Sequence, residues 1–573
     1  MGVPHQDDLT LAQGETGNVS FLLEHRWTIA SFMLCVMILL TRISSSLNSR
    51  SKTAGEHGAA TVPAVPYWLP ILGHIPNMAW DADGFVKGLR AIYDCGIFSL
   101  NFGGTRHNII CHPGLATAVL NTKASNANNE SVSKRLMDLV FGFPSNELEK
   151  YDVAFEELHG LYRIIQVEPG LGKMVEQTAR KTKENINNLV TFMESPVDQM
   201  PWEKVSNINV VESPNGERVV EASLLPLIRD FCAFTANPSI MGSDFLENNP
   251  QFFDDIWILD RGFLLLATGL PRWAPIPTLT RAHIARRNNL RRLETFHAMM
   301  DKQWDGNNDD PKWSSLDDVG DLIKARMDIY CKYKLSIRAR ASIEHALMWA
   351  ANANSNSLVF WLVNRIYEDK ALLAMIREEI APYVKVEQVE TGLPIKEPPR
   401  ITSLDVEGLC DKCPLLKSCY VECLRLDTGS WSFKSVKSDF VLQSREKEAQ
   451  PWLLRKGEYV HVAHDLHNTD PNHFENPAVW KADRHIKYDD KRVGTADMGS
   501  IRPYGGGTSM CKGRAFALKE VMMFTAAIVS MWDIEAAGGG TWKMPKHAKA
   551  TGVYSTRDDT RVWIKARKMP ARG

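Results

Sequence analysis

Residues 503 to 514 read PYGGGTSMCKGR and run straight into AFALKEVMMFTAAIVSMW, an apolar stretch of helical character. Three consecutive glycines put backbone without Cβ atoms just ahead of a single thiol, and the helix behind aims its N-terminal amides at that thiol. A fold built from this chain must therefore support a flexible loop on the end of a buried helix. A phosphate-cradling loop needs G-x-x-x-x-G-K-[ST]. Counted from Gly506, Cys511 takes the place of the second glycine, and Gly513 stands where Ser or Thr should ligate magnesium. The dinucleotide pattern G-x-G-x-x-G, begun at Gly505 and Gly507, requires glycine at Met510. Phosphate is not the target of this loop.

Two readings of the thiol remain. A nucleophilic cysteine gains from the helix N-terminus, which lowers a thiol pKa, but it also needs a neighbouring base that the sequence does not identify. A thiolate bound to haem iron uses the glycines to pass the backbone close under a flat macrocycle and the following helix to support the anionic sulfur. The second reading accounts for both flanks.

The 573 residues suffice for a large core, and Lys+Arg 67 against Asp+Glu 68 leave a formal net charge of -1. No global basic field recommends nucleic acid as a partner. The ten cysteines are too sparse for a disulfide scaffold and fit a reducing compartment. Cys410, Cys413, Cys419 and Cys423 form a C-x2-C-x5-C-x3-C cluster that invites a zinc reading. The helical spacing in PLLKSCYVECLRL instead makes Cys419 and Cys423 small core hydrophobes.

WTIASFMLCVMILLTRI, residues 27 to 43, is apolar almost throughout and just long enough for a bilayer core. Acidic residues precede it, unlike the basic leading region of a cleaved signal peptide. Arg42, Arg50 and Lys52 follow it, so the positive-inside bias places the long C-terminal portion in the cytosol. The expected division is a luminal N-terminus over 1–26, a transmembrane anchor over 27–43, a linker and start of a proline-rich hinge over 44–66, and a catalytic domain over 67–573. Asn18 heads a glycosylation sequon on the luminal side. Within the large domain, FGGTRHNIICHPGLATAVL reads as strand, turn and helix, while residues 150 to 385 carry mostly helical periodicity. The fold class is mainly α with small β-sheets, preceded by one transmembrane helix.

Three motifs in order carry a family resemblance. PYGGGTSMCKGR matches an aromatic-Gly-x-Gly-x-x-x-Cys-x-Gly loop, ECLRL supplies Glu422 and Arg425 as a Glu-x-x-Arg pair one helical turn apart, and DPNHFENPAVWKADRHIKYD supplies Arg484. With them the chain resembles the cytochrome P450 haem-thiolate monooxygenases from about residue 27 onward. The stretch from Trp349 to Trp361, W-A-x-x-A-N-x-x-x-x-x-F-W, is similar to the subgroup containing cholesterol 7α-hydroxylase and prostacyclin synthase.

The resemblance implies a P450 fold and haem b, with Cys511 as axial ligand to iron and Glu422, Arg425 and Arg484 as a structural network. It also implies electrons from NADPH through a separate reductase, since no flavin domain follows the haem-thiolate region. In the family the oxygen-side helix carries Ala/Gly-Gly-x-Asp/Glu-Thr. Here Asn354 replaces the acid and Ser355 the threonine, inside a polar break over 352–357. An amide can hydrogen-bond or organise water but holds no transferable acid proton at neutral pH, whereas the serine keeps a hydroxyl.

For haem propionates the family places an arginine two residues before the cysteine, where this chain has Ser509. Arg502 is the nearest substitute, and His159 with Arg163 has the spacing of the family's Trp-x-x-x-Arg. Lys512, Arg514 and Lys519 are expected on the face that meets an acidic reductase. Access loops that select the substrate are expected within 125–150 and 225–280. The implied enzyme oxidises a lipophilic sterol-like, terpenoid or other specialised metabolite at the endoplasmic reticulum membrane, using O2. Two alternatives are a haem-thiolate isomerase or dehydratase that works without a reductase, and a haem-binding sensor.

Overall fold

A computed structural model of the chain describes residues 25–47, 49, 58–388, 399–446, 449–491 and 493–568. Asn18 lies outside the described residues, as does the expected luminal segment apart from residues 25 and 26. The apolar run forms one helix, Arg26–Leu47, whose most apolar window has a mean hydropathy of 1.8 and is almost entirely exposed. Its length and composition are sufficient to cross a membrane. The helix outlasts the apolar run by a turn. Thr41 Oγ1 donates to Met37 O at 2.8 Å and Ser45 Oγ to Arg42 O at 3.0 Å, so hydroxyl side chains satisfy their own helix where apolar surface ends.

The chain divides into two compact units, Met1–Asn128 with Phe433–Leu466, and Asn129–Ser432 with His467–Gly573. The expected boundary at residue 67 falls inside the first. That unit carries a five-stranded sheet in the order Ile97–Phe102, Thr105–Ile110, Tyr459–Ala463, Trp431–Val436, Ala127–Asn128. The first two strands are antiparallel, and Thr105–Ile110 runs parallel to Tyr459–Ala463. The strand-turn-helix reading holds, because Thr105–Ile110 leads to helix Pro113–Leu120, whose N-cap His112 accepts from Gly114 N at 3.2 Å. The expected linker over 44–66 is packed in its last part. Ala60–Thr61 pairs in parallel with Trp452 and Leu453, and Ala59, Ala60, Val62 and Val65 are buried. Small apolar residues between the polar stretch and the prolines find a sheet edge there, which composition alone hides.

The second unit is mostly helical. Helix Arg514–Met531 is apolar around its circumference and buried continuously from Glu520 to Met531, as such a helix must be. It packs against Ser355–Glu368 in one core, while Phe252–Ala267 and Pro277–Trp304 build a second core with Ile337–Asn352. A four-stranded antiparallel sheet, in the order Trp532–Ala536, Arg561–Ala566, Arg218–Ser223, Asn209–Glu212, closes the C-terminal end. The expected access loops within 225–280 are instead largely helices, Leu224–Ala236, Pro238–Met241, Ser243–Asn248 and Phe252–Ala267. LLPLIRDFCAFTA and FFDDIWILDRGFLLLA each bury an apolar face, so packing orders as helices a region expected to be loops. Residues 125–150 likewise include helix Glu130–Leu139.

The four clustered cysteines are buried. Burial pushes the Cys410 thiol up to about 11 and the Cys413 thiol up to about 12, with Glu379 and Cys410 adding to the latter. They sit as neutral thiols, Cys413 Sγ directed at Glu379 O and Cys419 Sγ at Ala482 O.

Candidate active site

The cysteine loop is shaped by its glycines. Gly505 and Gly507 have φ of +69° and +59°, the left-handed region that a side chain resists, and a Cβ on Gly505 would stand 3.0 Å from Ser432 Oγ. Gly505 N donates to Arg502 O at 3.0 Å and Cys511 N to Tyr504 O at 2.9 Å, which folds the loop back on itself before helix Arg514–Met531 begins. Cys511 is an exposed thiol. The protein packed around it pushes its pKa up, against the pull of the Gly513 and Arg514 amides that hydrogen-bond to the sulfur and of the Arg514 and Lys512 charges. Two amide donors at a helix N-terminus suit an anionic sulfur far better than a neutral one. Nearby, Ser509 Oγ is buried without a partner, a donor available to a polar group such as a haem propionate. These residues fit a thiolate-bound haem.

The other expected propionate contacts are dispersed. Arg502 Nη1 donates to Gly499 O at 2.8 Å and Ile501 O at 2.9 Å, within its own loop. His159 Nδ1 donates to Phe155 O at 3.0 Å; burial lowers its pKa, and the charges of Arg326 and Lys512 lower it further, so the imidazole lies within electrostatic reach of the cysteine loop. Arg163 is exposed on the 3-10 turn Leu161–Ile165. Helix Leu148–Gly160 ends between the two residues, so their four-residue spacing does not place them on one α-helical face. Lys512 Nζ donates to Thr508 O at 3.3 Å, Arg514 Nη1 to Cys511 O at 3.1 Å, and Lys519 is paired with Glu407. Lys519 is thus engaged within its own unit.

Glu422, Arg425 and Arg484 come together in the interior. Arg425 Nε and Nη2 each reach a Glu422 carboxylate oxygen at 2.8 Å, and Arg425 Nη1 donates to Asn468 O and Pro477 O, both at 2.7 Å. Arg484 Nε donates to Glu422 Oε1 at 2.9 Å, and its guanidinium also holds Glu475 O and Val479 O, each at 2.7 Å. Sequence reasoning missed His485, whose Nε2 lies 2.9 Å from Glu422 Oε2. Burial raises the Glu422 pKa, but Arg425, His485 and Arg484 outweigh it and hold the carboxyl down at about 2.

The long helix breaks where the polar residues fall, into Ile337–Asn352 and Ser355–Glu368. Asn352 Nδ2 donates to Met348 O at 2.8 Å and to Asn237 Oδ1 at 2.9 Å, and Ser355 Oγ donates to Ala351 O at 3.1 Å. Such bonds back to the preceding turn loosen a helix. Asn354 Oδ1 accepts from Val553 N at 2.9 Å, so this amide pins the 552–553 backbone. A Cβ on Gly552 would lie 2.2 Å from Asn354 Oδ1. Gly552→Ala is therefore expected to displace Asn354 and cost about 1–3 kcal/mol, read as a fall in the urea midpoint at unchanged slope.

Two further groups were given no role at the site by the sequence. Trp349 stacks on Phe263 with ring centroids 4.4 Å apart, meets Phe141, and donates from Nε1 to Asp260 Oδ1 at 2.9 Å, giving an aromatic wall one turn before the break. Glu520 is buried on helix Arg514–Met531. Burial lifts its pKa to about 8, against the influence of the Ser355 hydroxyl, which lowers it. A lone acid within AFALKEVMMFTAAIVSM was the available signal.

A glycine-shaped loop presenting a sulfur to helix amides, with a buried Glu–Arg–Arg network and a broken central helix, defines the scaffold of a haem-thiolate enzyme. Residues 276–559 match the Cytochrome P450 family model. The chain is 24% identical to the cytochrome P450 monooxygenase efuG of Hormonema carpetanum, over 93% of this chain and 95% of that one. It is 23% identical to cytochrome P450 7B1 of Mus musculus, over 88% of each. Identity to the 25-hydroxycholesterol 7-alpha-hydroxylase of Rattus norvegicus is 28%, over 38% of this chain and 51% of that one. The chain belongs to the cytochrome P450 family and is a haem-dependent monooxygenase.

Proposed function

We propose that the chain is a membrane-anchored hydroxylase of a lipophilic sterol-like, terpenoid or other specialised metabolite, with haem b held by Cys511. The observation that carries this reading is the glycine-shaped loop that presents the Cys511 thiol just ahead of helix Arg514–Met531. Bound there, haem supplies the iron at which dioxygen is reduced and one oxygen atom is delivered to substrate. The chain's own residues do the rest. The Gly513 and Arg514 amides stabilise the thiolate, Ser509 offers a donor for a propionate, and Glu422, Arg425 and Arg484 hold the scaffold rigid. Asn354 fixes the 552–553 turn and so sets the position of the Ser355 hydroxyl, while Phe141, Phe263 and Trp349 offer an apolar surface to a lipophilic substrate.

The helix Arg26–Leu47 and the basic residues after it support a single-pass anchor in the endoplasmic reticulum membrane, with residues 67–573 on the cytosolic side and 1–26 luminal. Lys512 and Arg514 then suit a NADPH-dependent cytochrome P450 reductase as electron donor. The test is a panel of sterols and terpenoids scored by displacement of the iron's water, followed by turnover of the responders with reductase, NADPH and isotopically labelled dioxygen. One labelled oxygen atom is expected in the product. Equal turnover without NADPH and reductase would replace this reading by an isomerase or dehydratase.

A further inference from the structure

Helix Arg26–Leu47 is clamped to its own unit at one end. Ser45 Oγ accepts from Tyr67 N at 3.1 Å, Arg42 Nη1 donates to Pro66 O at 2.7 Å, and the Arg42 guanidinium lies over the Trp68 ring, 5.0 Å from its centroid. Ahead of that clamp a cleft of about 920 Å3 separates the helix from the rest of the unit, the size of a large small-molecule site. One wall is a single helix face, Phe32, Met33, Val36, Met37 and Leu40, spaced at the helical repeat. Phe32, Met33 and Leu40 each keep at least 60% of their surface exposed. The other wall carries Ser99, Asn101 and Arg106 from the sheet, and Arg455 just beyond strand Trp452–Leu454.

The residues lining the cleft include two arginines and no aspartate or glutamate. Arg106 is fixed in place, with Nε 2.8 Å from Ser99 Oγ and 3.7 Å from Glu458 Oε1, and with Nη2 donating to Val62 O. Glu458 therefore offsets Arg106. Arg455 is exposed, and among the described residues its side chain has no hydrogen-bond or ion-pair partner. An apolar face opposite an uncompensated guanidinium complements an amphiphile with an anionic head, since the chain removes apolar surface from water and the fork-shaped cation matches phosphate oxygens.

We propose that this cleft is a binding site for one anionic glycerophospholipid, its acyl chain along the Phe32–Leu40 face and its phosphate at Arg455. This rests on the membrane-anchor reading, which brings the helix and the basic residues beside it to an anionic leaflet. The bound lipid braces the anchor against the unit on the side that the Ser45 and Arg42 clamp leaves open.

The test uses the full chain in phosphatidylcholine vesicles that contain phosphatidylserine with a photoreactive acyl chain, the adducts being located by peptide mass spectrometry. Adducts are expected on Phe32, Met33, Val36 and Met37 in preference to Leu34 and Leu39, which do not line the cleft. Excess phosphatidylserine should compete, and excess phosphatidylcholine should not. Arg455→Ala should lower labelling of the cleft face about fivefold. Arg455→Lys should retain most of it, and Lys456→Ala, which removes the next charge in sequence but one outside the cleft, should leave it at the wild-type level. Arg455 is exposed, so neither of its variants threatens the fold. Equal labelling around the helix, competition by phosphatidylcholine, or indifference to Arg455→Ala overturns the proposal. Competition by a neutral sterol alone would give the cleft to a neutral amphiphile and overturn it as well. Failure of the anchor reading shows separately, as a chain that does not float with vesicles of either composition, and the proposal falls with it.

Discussion

Cys511→Ser is expected to lower NADPH-dependent product formation by at least about 1000-fold and to alter the carbon monoxide spectrum of the reduced protein. The substitution is nearly isosteric, so the loop closed by Cys511 N on Tyr504 O should persist. What changes is charge. A serine hydroxyl does not ionise in this range, and the Gly513 and Arg514 amides that face the sulfur would meet a neutral oxygen with little capacity to donate electron density to a metal. Cys331→Ser is the control, because Cys331 is the other exposed thiol described in the same unit and lies far along the chain from the loop. It should leave both readouts at wild-type values. An unaltered spectrum in Cys511→Ser would remove Cys511 as ligand, and with it the assignments built around that bond.

Legibility in the sequence followed the range of the interaction. The cysteine loop and the Glu422–Arg425 pair are local patterns, fixed by turn chemistry and the helical repeat, and both stand in the structure at the places the spacing implies. His485, the carbonyls of Asn468 and Pro477, and the influence of Ser355 on Glu520 depend on elements brought together by folding, and no local pattern encodes them. The His159 and Arg163 spacing misled because it assumed an unbroken helix, whereas the chain turns to 3-10 geometry at Leu161. Helix Arg26–Leu47 exceeded residues 27–43 for a related reason. Hydropathy reports where apolar surface ends, while backbone bonding continues through Ser45. The helices within 225–280 show the converse, where sequence without a transferable motif still carries the apolar face that packing needs.

The second large effect is on stability. Arg425→Ala is expected to cost about 3–5 kcal/mol, because it strips a carboxylate with no exposed side-chain surface of its bidentate partner and leaves the buried Asn468 carbonyl and the half-buried Pro477 carbonyl without this donor. Arg425→Lys should lose most of the same amount, since an ammonium keeps the charge but cannot fill both carboxylate oxygens and the Asn468 and Pro477 carbonyls from one plane. Arg484→Ala should cost less, as several of its other bonds are at an exposed edge. The network also fixes an acid limit. A carboxyl held at about 2 against an ordinary 4.5 contributes stability that is fully present above pH 4.5 and is lost as pH falls through about 2. The shift corresponds to about 3 kcal/mol. Urea midpoints measured between pH 7 and pH 3 should therefore fall more steeply for the wild type than for Glu422→Gln, which has no such proton to bind. If the two curves run parallel, or if Arg425→Ala denatures with wild-type midpoint, the buried charges contribute specificity of packing rather than stability. Should Arg425→Ala retain its urea midpoint but lose haem, the network would act by shaping the site and not by holding the fold.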